Sequence, residues 1–320
     1  MATQLATKLT PEFTLYINDI NVTVLNEFKS KFSSASGPAI EICNSAKQVA
    51  ENSDIIQTIV PESTHVKAVY LSPVTGVIAA ASPSSTTRKL FIDSSTIDPP
   101  TSLEINKSIT SAFSSSSSTF IDAPVSGGTG GAEAATLTFM VGLDDNKNNS
   151  GVETNREIIQ ICHQLFGLMG TQITFCGAPS LGLAAKICNN YTSGMIALAT
   201  SESMNLGIKL GLNPRVLSKC MAGSSGGSWV NTHANPCPGV CPNSATSKGY
   251  KGGFKVQLMR KDISLAIESA RKVGAKLVLS DAGFGAYDAA SKDPNCVDRD
   301  SRVVYRWLGG KEDVIQDLVE

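Results

Sequence analysis

Four stretches of the chain carry side chains suited to handling small anions and protons. The first is D-A-P-V-S-G-G at 122–128, directly after an apolar run. Paired glycines free backbone N–H groups to approach a ligand, and Ser126 adds a hydroxyl donor. Ser126, Gly127 and Gly128 thus make a turn suited to a carboxylate. On spacing alone, a plain strand-to-loop turn explains the same residues. The second stretch is G-L-A-A-K-I-C-N-N at 182–190, in which Lys186 and Asn190 stand four apart and share one face of a helix. Ala184, Ala185, Ile187 and Cys188 leave Lys186 with less water around it than a surface lysine, although a solvated charge is the ordinary role of a lone helical lysine. The third, G-G-F-K-V-Q-L-M-R-K-D-I-S-L-A at 252–266, offers Phe254 to stack on a flat ring and Lys261 as a second positive charge. Without those roles it is an amphipathic helix with a glycine-rich lead-in. The fourth, D-S-S-T-I-D-P at 93–99, follows another apolar strand, where ligands of open α/β sheets collect. Its purely structural reading is a helix N-cap, with Ser or Thr ahead of Pro99.

The elements that position these stretches change character along the chain. The first half alternates short β-rich runs with helical ones, the pattern of a parallel sheet wrapped by helices. Strands are predicted at 13–17, 55–60, 89–93, 119–122, 136–141 and 172–176, with helices at 22–32, 46–52 and 152–168. The polar runs at 114–118 and 144–150 read as expansions of surface loops. From 181 to 210 the chain has no proline and only Gly182, Gly194 and Gly207 as interruptions, which predicts a long helix. Beyond it the sequence is mainly helical, apart from a loop at 231–253 rich in Gly, Pro, Ser and Asn. An α/β domain over 1–178 followed by an all-helical domain over 179–320 is expected, with a catalytic cleft between them as the default for such a pair.

Composition narrows the function classes. The 320 residues carry a formal net charge of −1 and are 42% hydrophobic and 17% charged, as in ordinary globular proteins. No basic patch marks a nucleic-acid partner, and no apolar run approaches the roughly 20 residues that span a membrane. The eight cysteines are scattered and read as reduced thiols. Cys237 and Cys241 form the one close pair, but no second pair of soft ligands lies at matching spacing, and His65, His163 and His233 stand apart, so no metal site is expected.

In this order, the four stretches resemble the β-hydroxyacid dehydrogenases, in their 3-hydroxyisobutyrate branch. The resemblance runs from Met1 to the C-terminus and includes T-F-M-V-G at 138–142, S-M-N-L-G at 203–207 and N-P-C-P-G-V at 235–240. Asn189–Asn190 fits that branch, where phosphogluconate enzymes carry His-Asn. The resemblance implies a Rossmann-like doubly wound sheet followed by a helical domain. It also implies NAD-dependent oxidation of 3-hydroxyisobutyrate to methylmalonate semialdehyde, a step of valine breakdown. Lys186 matches the family's catalytic lysine, and Ser126, Gly127, Gly128 and Asn190 its substrate-binding positions. Val60, Pro61, Thr96, Phe254 and Lys261 match the cofactor side, and His65 stands where the family commonly has a cofactor-contacting asparagine. Relatives are mitochondrial and form dimers or tetramers, so a homo-oligomer in mitochondria is implied.

Within that frame Lys186 would take the alcohol's proton as hydride leaves. A lysine in water has a pKa near 10.4, so desolvation and repulsion from Lys261 would have to lower it. Asp19, at the end of the first strand, would accept hydrogen bonds from the adenosine ribose and repel a 2′-phosphate, which favours NAD over NADP. The fingerprint G-x-G-x-x-G, which should precede Asp19 by about twenty residues, occurs nowhere in the chain. Residues 1–9 read as the helix that follows that loop, so the family's opening strand and glycine turn are expected upstream of Met1. The alternatives are an inactive form serving as an oligomer subunit or binding partner, and an enzyme for a related small hydroxy acid.

Overall fold

The computed structural model describes residues 1–33, 36–82, 87–114, 118–144 and 152–313. The chain divides into two compact units, Met1–Lys186 and Ile187–Glu320. The first contains α1 (Ala2–Lys8), β1 (Thr14–Ile17), α2 (Val22–Phe32), β2 (Ala39–Ile42), α3 (Ala46–Asn52), β3 (Ile55–Thr58), α4 (Ser63–Leu71) and β4 (Leu90–Asp93). It continues with α5 (Pro99–Ala112), β5 (Thr119–Asp122), β6 (Val125–Ser126), α6 (Gly128–Ala134), β7 (Leu137–Val141), α7 (Val152–Gly167) and β8 (Gly170–Phe175). Helix α8 (Leu181–Lys209) begins in the first unit, and α9 (Pro214–Ala222), α10 (Trp229–His233), α11 (Val256–Val273), α12 (Ser280–Lys292) and α13 (Val304–Trp307) belong to the second.

The α/β-then-helical architecture matches the expectation, but the sheet is more divided than a single doubly wound one. Strands β1 and β2 pair in parallel, β3, β4 and β5 form a second parallel sheet, and β6, β7 and β8 a third. Two of these strands, β2 and β6, were not expected. The first is only the four residues A-I-E-I, and the second is two residues long and runs antiparallel to β7. Of the polar runs, residues 115–117 and 145–150 lie outside the described residues.

Period-two alternation decides what the central strands bury. In β4, Leu90 and Ile92 enter a core with Ile121, Phe139, Val141 and Phe166, while Phe91 enters another with Ile56, Tyr70, Ile105 and Phe120. Both faces are covered, and all four β4 residues are buried. Asp93 shares the Phe91 face and Asp122 the Phe120 face, so each strand delivers a carboxylate into the protein interior at its C-terminal end. Helix α5 begins at Pro99, whose fixed φ suits a first helical position. Its cap is Asp98, which accepts the Thr101 amide at 2.9 Å, in place of the expected Ser or Thr: the residue touching the proline already carries the acceptor.

In the second unit α11, α12 and the tail of the chain bury Val256, Met259, Ile263, Tyr287, Val303 and Val304 around Tyr250. The run 231–253 begins in the last residues of α10, includes a 3-10 turn at Ala245–Lys248, and is ordered by buried asparagines. Asn235 donates to Asn231 Oδ1 at 2.9 Å, and Asn231 donates to the Ser218 carbonyl at 2.9 Å. This gives the N-P-C-P-G-V segment a structural reason for its first residue. Cys237 and Cys241 are free thiols, the former buried.

Candidate active site

In the first unit the candidate residues sit at the C-terminal ends of strands and at the start of α8. Ser126 closes β6, and Gly127 and Gly128 follow with φ of +131° and +63°, values that a side chain would strain. The turn is exposed at both glycines, so its backbone is open to a ligand. Lys186 lies on α8 and is 6% exposed, which answers the question left by its spacing: it is not a solvated surface charge.

Asp122 links these two regions. Its Oδ1 accepts the Ser180 amide at 2.7 Å and its Oδ2 the Leu183 amide at 2.9 Å, so one carboxylate satisfies donors at the N-terminus of α8. Burial pushes its carboxyl above the usual aspartate range, opposed by the amides of Leu183, Ser180 and Gly182. Gly142 and Gly182 pack against it: a Cβ on Gly142 would fall inside the carboxylate, and one on Gly182 would strike the Met140 carbonyl as well.

A second buried carboxylate, Asp93, organises the loops after β3 and β4. Its Oδ1 accepts from Thr58 Oγ1 at 2.8 Å, from Ser95 Oγ at 2.7 Å and from the Ser95 amide at 3.2 Å. Thr58 also meets Tyr70 Oη at 3.1 Å. The Val60 amide donates to Ser95 Oγ at 2.9 Å, and Ser63 Oγ donates to Asp98 at 2.7 Å. The Val60–Pro61 pair and Thr96 therefore ride on two loops stitched together by side chains. Burial pushes the Asp93 carboxyl up to about 6, partly offset by Ser95 and Thr58 and reinforced by Asp122 alongside it. Its Oδ2 has no hydrogen-bond partner among the described residues, which is where a proton would sit. His65 is exposed on the first turn of α4. Asp19 is exposed just beyond β1, with Oδ1 accepting the Asn21 amide at 2.8 Å.

In the second unit Asn190 is buried and its amide is engaged. Nδ2 donates to Asp262 Oδ2 at 2.5 Å, while Oδ1 accepts from Asn189 at 3.1 Å. One of the two Nδ2 hydrogens is thus spent on the protein itself. Lys261 Nζ lies 3.1 Å from Asp262 Oδ1, so much of the charge expected to act on other groups is balanced at its own neighbour. Phe254 is half-buried, its amide donating to Asp300 Oδ2 at 2.9 Å.

Three aspartates were thus missed as roles, though each lies inside or beside a quoted motif. The available signal was the pair of strand endings L-F-I-D and T-F-I-D: an acidic residue closing an apolar strand is costly unless bound. Asp262 had no such signal, because K-D on a helix reads as a surface pair.

Comparison with known proteins gives the family. Residues 12–177 match the NAD binding domain of 6-phosphogluconate dehydrogenase, and residues 181–308 the NAD-binding segment of NADP-dependent 3-hydroxyisobutyrate dehydrogenase. The probable mitochondrial 3-hydroxyisobutyrate dehydrogenase of Dictyostelium discoideum is 39% identical over 90% of this chain and 83% of its own length. An NAD-dependent L-serine dehydrogenase of Pseudomonas aeruginosa is 35% identical over 82% of this chain and 81% of its own. The structure of a Mycobacterium tuberculosis 3-hydroxyisobutyrate dehydrogenase with L-serine superposes with a TM-score of 0.72 at 29% identity, covering 94% of this chain and 99% of that one. A dinucleotide-binding oxidoreductase for small β-hydroxy acids is the class that fold and site define. The chain belongs to the 3-hydroxyisobutyrate dehydrogenase family, and its cofactor is NAD.

The placement of the residues expected on the cofactor side is compatible with NAD. Asp19, Val60–Pro61 and Thr96 all follow the C-terminal ends of parallel strands, where such sheets receive ligands. The chain has no G-x-G-x-x-G, and no residue is assigned to the pyrophosphate.

Proposed function

We propose that the chain oxidises the primary alcohol of 3-hydroxyisobutyrate to methylmalonate semialdehyde, with Lys186 as the general base. The observation that carries this reading is the burial of Lys186 on a helix whose first turn is tied by Asp122 to the segment entering the Ser126–Gly128 turn. When bound, NAD supplies the hydride acceptor. Lys186 Nζ takes the hydroxyl proton, and the Ser126 hydroxyl and the amides of Gly127 and Gly128 hold the carboxylate. The remaining Nδ2 hydrogen of Asn190, whose amide is fixed by Asp262, orients the alcohol. On the cofactor side we place Val60, Pro61, His65 and Thr96, with Phe254 and Lys261 from the helical segment.

General-base removal costs about 10²–10⁴ in rate. Lys186→Ala is expected to lower kcat by about 10³-fold with substrate binding still measurable by calorimetry; near-normal turnover would overturn the assignment. Asp19 carries the preference for NAD, since its carboxylate accepts from a ribose 2′-hydroxyl and repels a phosphate there. Asp19→Ala is expected to raise the KM for NAD by about tenfold, the worth of one or two charge-assisted hydrogen bonds, and to narrow the gap to NADP.

A second substrate reading has support from the L-serine dehydrogenase relative and the L-serine complex. L-serine is also a primary alcohol β to a carboxylate, and the ratio of kcat/KM for the two acids separates the readings. We also propose a mitochondrial location, on the mitochondrial names of relatives, and a homo-oligomer, as the family resemblance implies. Subcellular fractionation and sedimentation of the native protein test the two parts. No described helix is long and apolar enough to cross a membrane.

A further inference from the structure

The two motifs at 122–128 and 182–190 are joined by a side chain that neither motif assigns a task. We propose that Asp122 is a positioning residue, whose carboxylate sets the first turn of α8, and through it Lys186, against the strand end that runs into the Ser126–Gly128 turn. The inference rests on Lys186 being the general base.

Three features of the chain meet at this group. Asp122 is 1% exposed and binds the amides of both Ser180 and Leu183, the positions just before and three residues after the point where the chain turns into α8. A carboxylate there meets the positive end of the helix. Ser180 has φ of +70°, a left-handed conformation that a serine adopts only when its surroundings hold it. The Asp122 carbonyl in turn accepts the Gly142 amide at 2.8 Å, which joins β7 to the same corner. Leu183 is fully buried in the core that contains Phe91 and Phe120, and Lys186 follows it by three residues, on the same helix face. Helical side chains lean toward the helix N-terminus, so a side chain at 186 covers the turn that Asp122 holds. The glycines at 142 and 182 make the room for the carboxylate.

The test compares wild type with Asp122→Asn by hydrogen exchange, competitive acetylation of lysines and steady-state kinetics. Exchange at 180–183 and labelling of Lys186 are expected to rise at least tenfold, with exchange at 89–93 changed less than twofold. The kcat is expected to fall at least tenfold, with the KM for NAD within twofold. Unchanged exchange and labelling at the start of α8, or an equal rise throughout the chain, would overturn the proposal. If the start of α8 loosens and kcat stays within twofold, positioning by Asp122 stands and the general-base reading of Lys186 fails. Should Asp122→Asn not fold, Asp122→Ser, which is smaller and keeps a hydroxyl acceptor, is measured in the same way.

Discussion

At the ends of β4 and β5, the buried carboxylates of Asp93 and Asp122 bind neighbouring segments to one another. At the end of β1 the ties carry no buried carboxylate: the exposed Asp19 accepts the Asn21 amide, and Asn18 donates to the Cys43 carbonyl just past β2. The strands differ in the same sense: β4 is buried at every residue, while β1 has none that is fully buried. On the proposed cofactor assignment, the two corners serve opposite ends of NAD. The loops near the chemistry must be placed closely, because small displacements of reacting groups are expensive in rate. On the same assignment the Asp19 carboxylate, proposed for the adenosine ribose, needs only to be within reach. Buried polar networks are thus concentrated where position matters most.

The largest expected effect breaks the buried corner directly. Gly142→Ala places a methyl group in the volume of the Asp122 carboxylate, and overpacking of this kind costs about 3 kcal/mol, read from urea unfolding. No equivalent substitution exists around β1, where Asp19 is exposed.

The next effect separates the corners by pH. Asp93 is raised to about 6 by burial, so between an unfolded aspartate's value near 3.9 and that figure the folded state holds a proton that the unfolded chain releases. The stability associated with that proton is fully present below about pH 4 and is lost as the pH rises through about 6, on the order of 2 kcal/mol. Asp93→Asn stays neutral throughout. The difference in urea midpoint between variant and wild type is expected to grow in the variant's favour from pH 4 to pH 7.5. A constant difference would mean that Asp93 is charged in the folded protein at every pH tested.

The smallest effect compares two helix caps. Asp98 caps α5 and also accepts from Ser63, the first residue of α4, whereas Asn21 caps α2 by accepting the Val24 amide at 3.3 Å. Asp98→Ala is expected to cost about 2 kcal/mol and Asn21→Ala about 0.5 kcal/mol, the two ends of the range for cap removal, by the same unfolding measurement. Equal losses would erase the distinction between the corners.

The sequence made the alternation of strands and helices legible, because apolar runs and helical periodicity are local. Helices α2 and α3 and strand β5 fall where they were expected, at 22–32, 46–52 and 119–122. Strand β2 was hidden because A-I-E-I gains its status by pairing with β1, a contact no local window contains. Spacing placed Lys186 and Asn190 on one helix face, but whether the lysine was bathed in water depended on what packs over it. The same holds for the partners of Asn190 and Lys261: Asp262 engages both, and one of them is 72 residues away along the chain. Leu183 packs into the first unit's core after α8 has begun, so the start of that helix belongs with the α/β unit, a contact no local window contains.

The corner around Asp122 also bears on how this chain can vary. The three nearest contacts of a Cβ at position 142 are all with the Asp122 side chain, so a residue larger than glycine there is conditional first on what stands at 122. At position 182 the obstruction includes the Met140 carbonyl and the Gly142 amide, which no change of side chain can remove. Substitutions at 122 and 142 are therefore epistatic, open to a compensating pair, whereas 182 is closed to every side chain while this backbone persists.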